Sequence, residues 1–259
     1  MKQQIKSKAS CRSGRSTERE EVIAMIDLST KRFLCPAISK EGIPFVIAGF
    51  IFTLLLCTGF AFLHRWLAWY GVVCAAILGL GLTYAIYLFF RDPERVSPDD
   101  PALVLSPADG FVSLIQEVPL PKEFGTEFGT DPVWRVSVFM SVLNVHVNRM
   151  PVGGTIVKDV YVPGAFINAS LDKASEKNER HLYLVKTDQG QQVAFVQIAG
   201  LIARRIVSRV SEGQKLQRGE RFGLIRFGSR LDIYLPKGVL PSVKLGQMMV
   251  AGETPLARL

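Results

Sequence analysis

The sequence predicts a two-span transmembrane helical hairpin followed by a mostly β domain of α+β class on the cytoplasmic side. Three observations carry that expectation. Two long runs free of charge lie between residues 43 and 90, period-two alternation with Gly and Pro punctuation dominates after Pro101, and basic residues flank the hairpin at both ends.

Residues 1–42 are polar and mixed in charge, opening with Lys2, Lys6, Lys8, Arg12 and Arg15 and showing no sustained apolar period. Such a stretch has too little apolar surface to form a core, so a mostly disordered basic tail is expected, with Met25 as an alternative start.

The hairpin occupies residues 43–90. From Pro44 to Leu63 no residue is charged, and at about 1.5 Å per residue the run matches a hydrocarbon core of about 30 Å. It is too long, and begins too far from Met1, for the apolar region of a cleaved signal peptide. A second uncharged run, Trp66 to Phe90, follows after His64 and Arg65. If Trp66, Trp69 and Tyr70 sit among the headgroups, the second span starts nearer Gly71 and the connecting turn has room. Lys31, Arg32 and Lys40 precede the hairpin and Arg91 and Arg95 follow it, against Arg65 alone in the turn. Both ends are therefore expected in the cytoplasm.

All four cysteines (Cys11, Cys35, Cys57, Cys74) fall in the tail or the spans. The domain at 91–259 thus has no disulfide, thiolate metal site or cysteine nucleophile. Its imidazoles are His146 and His181, His64 being assigned to the hairpin turn. Strands are expected at Phe111–Val118, Val133–Phe139, Thr155–Val162, His181–Thr187, Gln191–Ile198, Arg205–Val210 and Leu231–Leu235, which gives a compact, largely antiparallel domain with few helices. The net charge of +8 is concentrated late, from Arg204 to Arg230, where it suits either anionic lipid or a solvated strand face. No RNP, zinc-finger or helix-turn-helix signature is present, so nucleic acid is not an expected partner.

Several polar residues have ordinary readings when taken singly. Ser106-Pro107-Ala108-Asp109-Gly110 is a tight turn entering a strand. His146, flanked by Val145 and Val147, suits a satisfied core histidine. Asn178-Glu179-Arg180 suits a surface loop, and Gly228-Ser229 a turn before Leu231-Asp232-Ile233-Tyr234-Leu235. Gly228, lacking a side chain, also leaves its carbonyl carbon open to attack by the Ser229 hydroxyl.

In order, these pieces and their neighbours resemble the membrane-associated, pyruvoyl-dependent phosphatidylserine decarboxylases in their short form. The resemblance runs from about Phe89 to the end. It rests on Phe89-Phe90-Arg91-Asp92-Pro93-Glu94-Arg95, Ser106 to Gly110, Asn144-Val145-His146-Val147-Asn148-Arg149, Tyr161 to Phe166, Asp172-Lys173-Ala174, Asn178-Glu179-Arg180, and Arg218-Gly219-Glu220 with Phe227-Gly228-Ser229. The longer bacterial form has Leu-Gly-Ser-Thr at the cleavage point and a second histidine three residues after the first. This chain has Phe227-Gly228-Ser229-Arg230 and Arg149 there, so a two-histidine relay must lean on His146 alone.

The resemblance implies a β-rich sandwich or half-barrel and a proenzyme. In the family scheme Ser229 Oγ adds to the Gly228 carbonyl and the amide becomes an ester. Elimination then leaves dehydroalanine, and hydrolysis leaves a pyruvoyl group at the head of the smaller (α) chain, the larger (β) chain ending at Gly228. That cofactor is the electron sink for losing carbon dioxide from the serine headgroup of phosphatidylserine in the membrane. Asp109 and His146 are the residues implied to activate Ser229, with Asp109 orienting the imidazole that takes the hydroxyl proton. No metal is implied, and a homodimer stays open. Two other readings remain: a decarboxylase of another seryl lipid, such as an ether lipid, and a non-catalytic membrane-tethered β domain. A biotinyl-type carrier is disfavoured because no Met-Lys-Met hairpin occurs.

Overall fold

The computed structural model describes residues 37–63, 68–125, 131–200, 205–226 and 229–259. Most of the expected tail and the hairpin turn with His64 lie outside the described residues. By its contacts the chain forms two compact units. One comprises residues 38–91 and 95–259; the other comprises residues 1–37 with 92–94, where the Asp92 N–H donates to the Ala37 carbonyl at 2.5 Å.

Helices α1 (Ile43–Leu63) and α2 (Ala68–Phe89) are each long and apolar enough to cross a membrane. They are apolar on all sides, and Leu54, Leu55 and Leu78 stand 64–73% exposed, which a core helix of a soluble protein would not allow. Helix α2 begins ahead of the expected Gly71 and carries Trp69 and Tyr70 as exposed residues, since a helix satisfies its own backbone through the headgroup zone. The two helices meet through small residues. A Cβ at Gly49 would come within 2.8 Å of Thr83 Oγ1, and one at Gly79 within 2.5 Å of Thr53 Oγ1, so neither glycine tolerates a larger residue. Thr53 and Thr83 satisfy their hydroxyls on the carbonyls of Gly49 and Gly79, each at 2.8 Å.

At its base the hairpin is tied shut. The Ser39 N–H donates to the Phe90 carbonyl at 2.8 Å, Ile38 bridges Arg91, and Phe45 stacks on Phe90 with centroids 5.3 Å apart. Residues 38–42, expected as part of a loose tail, are thereby folded, and Glu41 pairs with Arg209.

The domain is built on an eight-stranded antiparallel sheet in the order β12 (Met248–Met249), β2 (Gly110–Val118), β3 (Val133–Met140), β11 (Ser229–Tyr234), β7 (Gln192–Ile198), β6 (Arg180–Lys186), β5 (Gly154–Val162), β9 (Lys215–Leu216). A second sheet orders β4 (Val147–Arg149), β10 (Arg221–Arg226) and β8 (Arg205–Ser208), and β1 (Leu103–Leu105) pairs with β13 (Pro255–Arg258). Alternation assigns the faces. In β11, Leu231 and Ile233 join the larger core, which also takes Phe222 and Ile225 of β10, whereas Tyr234 joins a second core with Leu182, Leu184 and Phe124. Between the sheets Phe222 packs on Tyr183 and Phe195 at centroid distances of 5.2 and 4.9 Å. Removing such a ring costs about 3–5 kcal/mol.

On the second face charges are buried. Arg230 is fully buried, its Nε lies 2.8 Å from Asp232 Oδ1, and its Nη1 donates to the carbonyls of Ala169 and Leu171 at 3.1 and 3.0 Å. Arg135 pairs with Asp172 at 2.5 Å, and the short helix α3 (Ala174–Lys177) adds the Ser175 hydroxyl, which donates to Asp232 at 2.9 Å. Several of the late basic residues have partners within the chain. Arg209 binds Glu41, Lys215 binds Asp188, and Arg218 donates to the carbonyls of Pro98 and Asp100. Arg205 and Lys215 stay exposed, as a solvated strand face requires, whereas the Arg218 guanidinium with its several donors satisfies loop carbonyls.

Candidate active site

The chain changes sheets where chemistry was expected. Strand β10 ends at Arg226 in the small sheet and β11 begins at Ser229 in the large one, while Phe227 and Gly228 lie outside the described residues. Both flanks are pinned: β10 between β4 and β8, and β11 between β3 and β7. Ser229 pairs with Met140, is fully buried, and places its hydroxyl 4.0 Å from Met140 Sδ, a weak acceptor. Among the described contacts the hydroxyl donates only to this sulfur, which leaves its oxygen lone pairs unused there.

Asp109 comes from the turn between β1 and β2. The Ser106 hydroxyl donates to the Ala108 carbonyl at 2.8 Å, and the Arg149 N–H donates to the Pro107 carbonyl at 2.9 Å, which fastens the turn to β4. Gly110, with φ of 152°, closes the turn where any Cβ would run into the Phe139 carbonyl. The Asp109 carboxylate accepts from Arg95 Nη2 through Oδ2 and from the Ala251 N–H through Oδ1, both at 2.8 Å. Burial raises its pKa above the ordinary value, against the charges of Arg95, Arg91 and Arg149 and the Ala251 bond.

His146 immediately precedes β4 and lies level with Ile225, whose N–H approaches its carbonyl at 3.4 Å. Ile225 precedes Gly228 by three residues in the chain. The ring is 1% exposed, lies 4.0 Å from the Phe89 ring at the end of α2, and holds its Nδ1 2.9 Å from the Asn144 carbonyl. Because a carbonyl only accepts, Nδ1 carries the proton and the lone pair is on Nε2. Burial pushes the imidazole pKa down to about 4; Arg91 adds to the depression and the Asn144 bond opposes it. Among the described contacts, the group on Nδ1 is therefore the Asn144 carbonyl, while both Asp109 oxygens are occupied by Arg95 and Ala251. The other histidine, His181, pairs with Asp159 and stacks on Tyr183 at 4.5 Å.

A buried polar chain leads to the same spot. The Tyr183 hydroxyl donates to Gln197 Oε1 at 2.9 Å, Gln197 Nε2 donates to Asn148 Oδ1 at 2.8 Å, and Asn148 Nδ2 points at Met140 Sδ at 3.6 Å. Met140 Sδ is the atom that also receives the Ser229 hydroxyl. Sequence reasoning passed over Gln197, Tyr183 and Met140, although a glutamine on an inward position of the apolar strand Gln192–Ile198 was a usable signal. Arg149, at the position of the longer form's second histidine, donates to the Gly219 carbonyl at 3.0 Å. Among the described residues no group of three His, Cys, Asp or Glu is placed to hold a metal.

A family model described as phosphatidylserine decarboxylase matches residues 82–257, a stretch that includes Phe89, Asp109, His146 and Ser229. The chain belongs to the phosphatidylserine decarboxylase family. It is 49% identical over 231 residues to the phosphatidylserine decarboxylase proenzyme of Zymomonas mobilis, covering 88% of this chain and 89% of the relative. It is 57% identical over 182 residues to the proenzyme so named from Cereibacter sphaeroides, covering 70% and 78%, and 58% identical over 182 residues to that from Ruegeria pomeroyi, covering 70% and 82%. The relatives' name, proenzyme, denotes a precursor that is processed into chains.

Proposed function

We propose that this chain is a phosphatidylserine decarboxylase precursor that cuts itself between Gly228 and Ser229 and then removes carbon dioxide from phosphatidylserine to give phosphatidylethanolamine. The observation that carries the reading is the buried Ser229 hydroxyl at the first residue of β11, in one sheet, while β10 ends at Arg226 in the other. His146 fits the base for that step, since the Asn144 carbonyl puts the ring proton on Nδ1 and the lone pair on Nε2, and a depressed pKa keeps the ring unprotonated at neutral pH. Asp109 holds Arg95, and its charge supports that of Arg91, the guanidinium that helps depress the imidazole pKa, so its influence on His146 runs through Arg91. After cleavage the smaller chain stays seated, because β11 keeps its pairing with β3 and β7 and Arg230 stays clamped to the 169–171 carbonyls.

A pyruvoyl group made from Ser229 fits the site. Position 229 is fully enclosed, Met140 supplies an apolar wall, and Asn148 stands close by with its amide fixed by Gln197. Such a group supplies a carbonyl that drains electrons from the substrate α-carbon. The proton transfers are assigned to His146, whose imidazole lies under the Phe89 ring, while Met140 lines position 229. The helices α1 and α2 hold the domain at the bilayer that contains the substrate, and the basic flanks put it on the cytoplasmic face.

Intact-mass measurement of the purified protein tests the proposal. Two chains are expected, 1–228 and a fragment from a modified residue 229 to Leu259, and Ser229→Ala is expected to remain one uncut chain. A full-length preparation that is active, or a short fragment beginning with an ordinary serine, would remove this mechanism.

A further inference from the structure

The turn between β3 and β4 presents Val142 and Leu143, 49% and 82% exposed, although the residues on either side of it are built into the site. The turn is rigid. Asn144 Oδ1 accepts from the Ser141 N–H at 2.8 Å and from the Ser141 hydroxyl at 2.7 Å, and the Asn144 N–H donates back to the Ser141 carbonyl at 3.0 Å. Its height relative to the hairpin is also fixed. Arg91 caps the end of α2 by donating from Nη1 to the Leu88 carbonyl at 2.6 Å, and its Nη2 donates to the Leu143 carbonyl at 2.7 Å. One guanidinium thus ties the apolar tip to the last turn of a membrane-spanning helix.

We propose that Val142 and Leu143 insert into the headgroup–acyl boundary of the phospholipid leaflet in which α2 ends, so that the domain takes its lipid directly from that leaflet. Continuity with α2 selects this occupant. An apolar tip bonded to a residue two positions beyond a 22-residue apolar helix lies at the level where that helix leaves the hydrocarbon. The same turn serves the site, since the Asn144 carbonyl fixes His146 Nδ1, and the Phe89 ring from α2 closes over that imidazole. Seating the tip therefore holds the base beside the headgroups. This rests on the proposed function for His146 and on α1 and α2 spanning the bilayer.

The test uses the full chain with its four cysteines changed to serine, reconstituted in phosphatidylcholine–phosphatidylserine vesicles. Leu143→Cys carries an environment-sensitive fluorophore; Leu240→Cys, beyond the far end of β11 and 67% exposed, is the comparison. The probe at 143 is expected to shift to the blue, to be quenched by lipids labelled near the headgroup and to resist aqueous iodide, with the reverse at 240. Equal iodide access at both positions overturns the proposal. In parallel, Leu143→Asp is expected to cut itself normally yet turn over phosphatidylserine in vesicles about tenfold more slowly. Its turnover of a short-chain phosphatidylserine dissolved as monomer should match the unsubstituted chain. Undiminished vesicle turnover, or an equal loss on both substrates, overturns the insertion. If the unsubstituted chain neither cuts nor decarboxylates, the proposed function fails, and the probe still decides the insertion.

Discussion

Replacing Phe89 with alanine tests the coupling between the hairpin and the base. The Phe89 ring is 4% exposed and lies 4.0 Å from that of His146, whose pKa burial brings down from 6.5 to about 4. At about 1.4 kcal/mol per pH unit, the gap amounts to roughly 3 kcal/mol against the imidazolium. Removing the ring admits water to one face of the imidazole while Arg91 keeps its opposing charge. The pKa of His146 should then rise by roughly one unit and stay below 6.5. Self-cleavage needs the unprotonated base, so its acid limb should move up by the same amount.

The stability consequence has a definite sign. The unfolded chain protonates His146 near 6.5 and the folded chain near 4. His146 therefore leaves stability unchanged above 6.5 and lowers it as pH falls through that window, by up to roughly 3 kcal/mol. Phe89→Ala should shrink this acid loss while destabilising the protein at neutral pH by about 3–5 kcal/mol through the emptied space. The assay follows the cleaved fraction of precursor, made by cell-free translation into liposomes, by gel mobility across pH. An unmoved acid limb in a folded Phe89→Ala variant would refute the role given to this ring. An acid limb near 6.5 in the unsubstituted chain would refute the depressed imidazole itself.

Removing Arg95 with Arg95→Ala leaves a buried Asp109 carboxylate short of its main partner, so stability should fall by about 3–5 kcal/mol and self-cleavage should slow, read by thermal melting and by precursor accumulation. Asp232→Ala strips Arg230 and Arg135 of a shared counter-charge; a similar loss is expected, with earlier proteolysis in the 163–173 loop that Arg230 and Arg135 hold. Gly110→Ala forces a side chain into the Phe139 carbonyl at a φ of 152° and should destabilise by roughly 1–3 kcal/mol or more, measured by denaturant midpoint. His146→Ala, prepared by refolding residues 1–228 with a synthetic 229–259 fragment that carries an N-terminal pyruvoyl group, should still lose roughly 10²–10⁴-fold in carbon dioxide release relative to His146 in the same assembly, because the imidazole also returns a proton to the α-carbon. Near-normal turnover there would limit His146 to maturation.

The long strands were legible because their alternation survives at both faces: Val133–Met140 and Gln192–Ile198 differ from their expected bounds by one residue at one end. Strand β10 was not legible. Gly223 interrupts it where a Cβ would come within 2.5 Å of the Val207 carbonyl, and arginines stand at both ends, so the local pattern resembles a loop although three strands converge there. Nor were β4, β9 and β12, which are two or three residues long and take their conformation from partners distant in sequence. The site followed the same rule. Asp109, His146 and Ser229 are recognisable from their motifs, whereas the carbonyl that sets the His146 tautomer and the glutamine that fixes Asn148 depend on which backbones the fold brings together.

The missed strand joins the hairpin to His146 and leads to the bond proposed to be cut. β10 carries Leu224 against Phe89 and Phe90, places Arg226 over the Phe45 ring at 5.4 Å, holds His146 level with Ile225, and then passes into β11 as Ser229. Each contact fixes a different part of the described chain on either side of residues 227 and 228: the helix base and His146 through β10, the large sheet through β11. Cutting the bond releases none of them, since every anchor belongs to pairing on its own side of the break. A chain that must destroy one of its own peptide bonds and still keep the new end in place needs that arrangement. The anchored hairpin adds the constraint that the new end forms beside the bilayer holding the lipid.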